Sequence, residues 1–232
     1  MVHRNRTSEL TGYYVLVVDD HELFSTVLVM ALRSCGVNAE QISICSVQAI
    51  LAATNGHPVG LVVLDFNLGR DSSRQWQDVR DVLDGLRDAP GWKVLMVSGS
   101  APQHSIAAAI AAGAVGFVPK SASFDALLST VLSAAAGKPV MSADEHRTWL
   151  QLHRSHAAHE RDLAQRFERL SNRERAVLEM LAKGHRAAAI AEQFVVSMTT
   201  VRSQIRSLLS KLDVNSQLEA VALIREHRDD GR

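Results

Sequence analysis

The sequence is short of cysteine, of net charge and of long apolar runs, and each shortage narrows its function. Its two cysteines, Cys35 and Cys45, form no CxxC pair and no metal-ligand spacing. That excludes a disulfide scaffold or structural zinc site and suits two plain thiols in a reducing, cytoplasmic setting. Twenty-five basic residues cancel 25 acidic ones, so no field of the whole chain draws it to a nucleic acid or a membrane. No run approaches the roughly 18 apolar residues of a membrane span, and the Ala-rich stretch 106–114 is too short. The basic start, residues 1–6, lacks the apolar segment of a signal peptide. No membrane partner is expected. What is plentiful is core material: 47% of the 232 residues are hydrophobic, enough for one large domain or two small ones.

The apolar residues are grouped, and the chain is organised around Leu61-Val62-Val63-Leu64-Asp65. A short β-branched run reads as a strand buried on both faces. A charge does not stay inside such a strand, so Asp65 belongs at its carboxyl end, the edge where open α/β sheets bind ligands. Three more runs point to the same edge. Residues 14–18 lead to Asp19-Asp20, 93–97 to Ser98-Gly99-Ser100, and 115–118 to Pro119-Lys120. With a further strand at 42–45 and helical patterns at 23–35, 47–54, 73–88, 103–112 and 123–136, strand and helix alternate strictly. That pattern implies an α/β doubly wound, five-stranded parallel sheet over residues 12–138.

Three carboxylates converging on one edge repel one another unless a hard cation such as Mg2+ joins them. Beside such a cation one carboxylate can act as a nucleophile toward a phosphoryl group. Lys120 and Ser98 add a positive charge and a hydroxyl for phosphoryl oxygens. Taken singly, each is an ordinary turn or cap residue; taken together, at the ends of neighbouring strands, they form a site.

In order and spacing these residues resemble the receiver domain of bacterial two-component response regulators. The resemblance implies a flavodoxin-like fold, phosphorylation of Asp65 by a sensor histidine kinase, and Mg2+ held by Asp19, Asp20, Asp65 and the backbone carbonyl of Asn67. It makes Ser98, Phe117 and Lys120 the switch residues. Leu68-Gly69 replaces the family's frequent Met-Pro, and the loop 70–74 is longer than usual.

Beyond residue 142 the strand signal ends. Residues 139–169 read as a helical linker, and 170–228 as a small all-α domain of four short helices. Ser171 with Glu174 forms a capping-box pattern, and Ser216 is a second N-cap candidate. Helix 187–194, a short turn and helix 199–212 make a helix-turn-helix. Its second helix sets Val201, Ile205, Leu208, Leu209 and Leu212 against a polar face of Arg202, Ser203, Arg206 and Ser210. That face suits a DNA major groove, although a plain solvated face has the same pattern. Residues 171–228 carry nine basic and six acidic residues.

This segment resembles the LuxR-type helix-turn-helix of NarL/FixJ-type regulators, through Leu170-Ser171-Asn172-Arg173-Glu174, Ala182-Lys183-Gly184, Ile190-Ala191, Thr200-Val201-Arg202 and Lys211-Leu212. The resemblance implies double-stranded DNA as a partner. Arg202, Ser203 and Arg206 would face bases, and Ser197, Thr200 and Lys211 would hold phosphates. Arg186-Ala187-Ala188-Ala189 and Gln204 depart from the family's usual Ser-Asn-Lys-Glu and His. In the linker, Trp149, Leu152, His156, His159, Leu163, Arg166 and Leu170 follow three- and four-residue steps. They serve either to dock the helix on its own domains or to form a seam with a second subunit.

The whole therefore reads as a cytoplasmic, non-enzymatic transcription regulator, homodimeric when phosphorylated. Two alternatives stay open: a regulator of the same architecture that ignores phosphate, and a Mg2+-dependent phosphohydrolase with Asp65 as nucleophile.

Overall fold

The computed structural model describes residues 13–42, 47–66, 79–86 and 91–230. These fall into two compact units, 1–153 and 154–232.

The first unit is built on five parallel strands: β1 (Tyr14–Val18), β2 (Asn38–Ile42), β3 (Gly60–Asp65), β4 (Trp92–Ser98) and β5 (Gly116–Pro119), in the order β2-β1-β3-β4-β5. Helices α1 (Glu22–Ser34), α2 (Val47–Thr54), α3 (Val79–Gly85), α4 (Gln103–Ala111) and α5 (Phe124–Ala135) follow the strands in turn. Alternate strand residues face opposite sides. Val15, Val17, Leu61 and Val63 pack with Leu28 and Leu32 of α1 and Leu127 and Val131 of α5. Leu16, Val18, Val62 and Leu64 pack with α2, α3 and Ala109 of α4. All six residues of β3 are buried, as its unbroken apolar run requires with helices on both faces.

The second strand lies earlier in the chain than the sequence reading placed it. β2 covers Asn38–Ile42 and shares only Ile42 with the expected 42–45; residues 43–45 lie outside the described residues. Among the described residues, β2 pairs only with β1. An edge strand half open to water carries polar residues such as Glu40 and Gln41, so a search for apolar runs passes over it. Of the helix expected at 73–88, the structure describes α3.

Helix α6 (Ala143–Glu168) spans the division between the units. The second unit holds α7 (Asn172–Ala182), α8 (Ala187–Phe194), α9 (Met198–Leu212) and α10 (Gln217–Asp230). They close on a core of Val177, Leu178, Ile190, Val201, Leu208, Leu212 and Ala220. The Ser171–Glu174 capping box forms, and Ser216 Oγ accepts the Glu219 N–H as the N-cap pattern requires. The end of α6 belongs to this unit. Phe167 and Leu170 join its core, the Phe167 ring stacks on His227 at 4.5 Å, and Arg166 donates to the Leu212 carbonyl. Positions 166 and 170 of the expected seam are thus taken by the protein's own domain.

Candidate functional site

The register of the sheet brings the acidic residues together. Val18 pairs with Leu64 across β1 and β3, so Asp19 and Asp65 leave neighbouring strands at the same level. On the other side of β3, Asp65 pairs with Val97, and Ser98 pairs with Pro119. The Lys120 N–H then donates to the Ser98 carbonyl at 2.7 Å, which fixes the lysine just past β5.

Asp65 is 1% exposed and Asp19 3%. Two such carboxylates side by side require a cation, and Lys120 supplies one. Its Nζ lies 2.8 Å from Asp65 Oδ2 and 2.7 Å from Asp19 Oδ2. Burial works against the ammonium, but the bonds to Asp19 and Asp65 outweigh it and hold the lysine pKa above its ordinary value. Asp20 sits toward solvent, with Oδ1 2.8 Å from the imidazole Nδ1 of His21. His21 was not singled out in the sequence, where the signal was only its place directly after the acidic pair. Its N–H donates to Asp19 Oδ1 at 2.8 Å, and Lys120 Nζ lies 3.4 Å from its ring. The Lys120 ammonium also stands 5.0 Å from the Phe24 ring centre.

One ligand atom each from Asp19, Asp20, His21 and Asp65 lies within 4.8 Å of the others. Such a group, mostly carboxylate oxygen, fits a hard divalent cation. Asn67 and the loop 68–74 lie outside the described residues. Ser98 is 1% exposed and its Oγ accepts the Ser100 N–H. Phe117 is half-buried against the α2–α4 side of the sheet.

In the second unit, Ser197 caps α9 by accepting the Thr200 N–H at 3.1 Å, and its hydroxyl meets that of Thr200 at 2.8 Å. Arg202, Ser203 and Arg206 are exposed on one face of α9, while Val201, Ile205, Leu208 and Leu212 are buried on the other. Lys211 is placed differently. Its ammonium lies 2.7 Å from Glu174 Oε2, in an ion pair 37 residues apart in sequence. Gln204, where the family usually has His, has a buried Oε1 without a hydrogen-bond partner among the described residues.

Known proteins share both units. Residues 15–132 match the family described as the response regulator receiver domain, and 168–224 that described as bacterial regulatory proteins, luxR family. A nitrate/nitrite response regulator protein homolog of Haemophilus influenzae is 31% identical over 215 residues, covering 91% of this chain and 96% of its own. The nitrate/nitrite response regulator protein NarP of Escherichia coli is 29% identical over 222 residues, covering 95% and 98%. Among solved structures, full-length FixJ from B. japonicum is 26% identical and covers 92% of this chain and 96% of its own, with a TM-score of 0.45.

Proposed function

The chain belongs to the response regulators that join a receiver domain to a LuxR-type DNA-binding domain, and on that footing we propose that it controls transcription through phosphorylation of Asp65. The observation that carries this is the buried Asp65–Lys120–Asp19 chain at the carboxyl edge of the sheet. The family is one of transcription factors, not enzymes.

Asp19, Asp20, Asp65 and the Asn67 carbonyl would hold Mg2+, whose charge offsets that of the incoming phosphoryl oxygens. A sensor histidine kinase presents its phosphohistidine at this edge. An Asp65 carboxylate oxygen forms the new P–O bond, the P–N bond breaks, and the imidazole leaves with the electron pair. Lys120 transfers its Asp65 bond to a phosphoryl oxygen, Ser98 turns its hydroxyl to another, and Phe117 moves into the space vacated. This remodels the surface of α4, β5 and α5, through which a second subunit binds. A bias of about 1–3 kcal/mol between the two arrangements is sufficient for regulation. In the second unit, Arg202, Ser203 and Arg206 read base edges in the major groove, and Ser197 and Thr200 meet phosphates. No helix among the described residues is long and apolar enough to cross a membrane, and the protein acts in the cytoplasm.

The test compares wild type with Asp65→Ala, in Mg2+ with and without beryllofluoride, reading oligomeric state and binding to a random-sequence duplex library. Dimers and enriched sequences only for wild type with beryllofluoride support the reading. No response from either protein rejects the phosphoryl switch.

A further inference from the structure

The cations of the second unit divide into two sets. Arg173 lies over the Phe194 ring, Arg175 donates to the Leu170 carbonyl, Arg228 pairs with Glu179, and Lys211 pairs with Glu174. Arg202 and Arg206, like Lys183, Arg186 and Arg225 elsewhere in the unit, are exposed and have no hydrogen bond or ion pair among the described residues. The division on α9 is imposed by one side chain. The buried Glu174 carboxylate receives the Ser171 N–H and O–H, both at 2.8 Å, the Ser207 O–H at 2.6 Å and the Lys211 ammonium at 2.7 Å. Ser203, Ser207 and Lys211 stand at four-residue steps along one edge of α9, so Glu174 grips the rim of the face that carries Arg202 and Arg206.

We propose that Glu174 is the positioning residue of the DNA-reading helix. Its carboxylate fixes the rotation of α9 through Ser207 and cancels the charge of Lys211, so that DNA meets Arg202 and Arg206 as the uncompensated cations of that helix. Lys211 is then a strut and not a phosphate contact. This rests on the DNA-binding reading above.

Salt dependence separates the roles, because each phosphate neutralised adds about 0.9 to the slope of log affinity against log salt. The full-length protein, with Mg2+ and beryllofluoride, is titrated against duplexes that wild type enriches from a random library. Lys211→Met keeps the wild-type slope. Glu174→Gln releases one positive charge and steepens the slope by about 0.9, and its preference for enriched over random duplex falls about tenfold. Adding Lys211→Met to Glu174→Gln returns the slope to that of wild type. A residue that only capped α7 would lower the melting temperature and leave the slope unchanged.

Two results overturn the proposal: a shallower slope for Lys211→Met, or an unchanged slope for a folded Glu174→Gln. If Glu174→Gln loses its helical circular dichroism, Lys211→Met alone decides, an unchanged slope supporting the strut and a shallower one rejecting it. If wild type enriches no duplex and binds none, the DNA-binding reading falls and the proposal falls with it; a folded variant whose slope departs from these expectations while wild type binds rejects the proposal alone.

Discussion

Val195 ends α8 in the left-handed region, at φ 52° and ψ 49°. Its β-branched side chain is 90% exposed, so packing does not repay the strain of that conformation, of order 1–2 kcal/mol. Val195→Gly should therefore stabilise the second unit by about 1 kcal/mol, seen as a higher denaturant midpoint; a lower midpoint shows that the isopropyl group makes a useful contact. Glu174 makes the opposite kind of prediction. Burial alone would raise its pKa, but the bonds from Lys211, Ser207 and Ser171 outweigh burial and lower it to about 2. A carboxylate depressed in the folded state contributes stability above its unfolded pKa, near 4.5, and loses that stability as pH falls toward 2. About 3 kcal/mol is at stake, and the urea midpoint of the second unit should fall over that window more steeply in wild type than in Glu174→Gln. Half of this was legible in the sequence. Ser171 and Glu174 are three residues apart, and capping is local chemistry. Ser207 and Lys211 are 33 and 37 residues away, and only the packed helices bring them to the same carboxylate.

Among the elements, the strands that carry the acidic edge were readable because burial on both faces leaves an unbroken apolar run, and their ends are marked by charge. β2 was misplaced because an edge strand obeys a weaker pattern. Helix α6 was ambiguous for a different reason: a stripe of apolar residues is the same whether a helix docks on its own chain or on another. Phe167, Leu170 and Arg166 resolve its last turns toward the protein's own second unit, and His159 lies 3.2 Å from Glu226 of α10. Leu163 is 2% exposed, so Leu163→Ala should cost about 2–4 kcal/mol. That loss should show in the full chain at any protein concentration; a loss that grew with dilution would place Leu163 between subunits. At the opposite edge of the sheet from the acidic site, a Cβ on Gly60 would meet the Trp92 ring at 2.4 Å and the Tyr14 carbonyl at 2.7 Å. The carbonyl belongs to the neighbouring strand and yields little, so Gly60→Ala should lower stability by about 1–3 kcal/mol, measured by urea unfolding.

On the scale of the molecule, each unit has its own core, and two thermal transitions are expected. Trp92 is buried in the core of the first unit, so a change in its indole fluorescence reports on that unit, while circular dichroism follows both. On the proposed reading, Mg2+ binds at the acidic edge of the first unit. At a hundredfold excess over its dissociation constant it should stabilise the first unit by about 2.7 kcal/mol, raising the fluorescence transition and leaving the other unmoved; equal shifts in both would place the cation elsewhere. A Cβ on Gly116 would collide with Val140 Cγ2 at 2.4 Å, and the Met141 methyl lies 3.5 Å from the same point. The chain leaving α5 is thus seated in a notch on β5, one residue before Phe117. A hybrid regulator that joins this receiver to a foreign output domain should keep Val140 and Met141 with the receiver, because a junction cut before them opens the notch beside Phe117, the proposed switch residue. Modular exchange in this protein has its natural seam inside the long helix, not at the last residue of the sheet domain's own final helix.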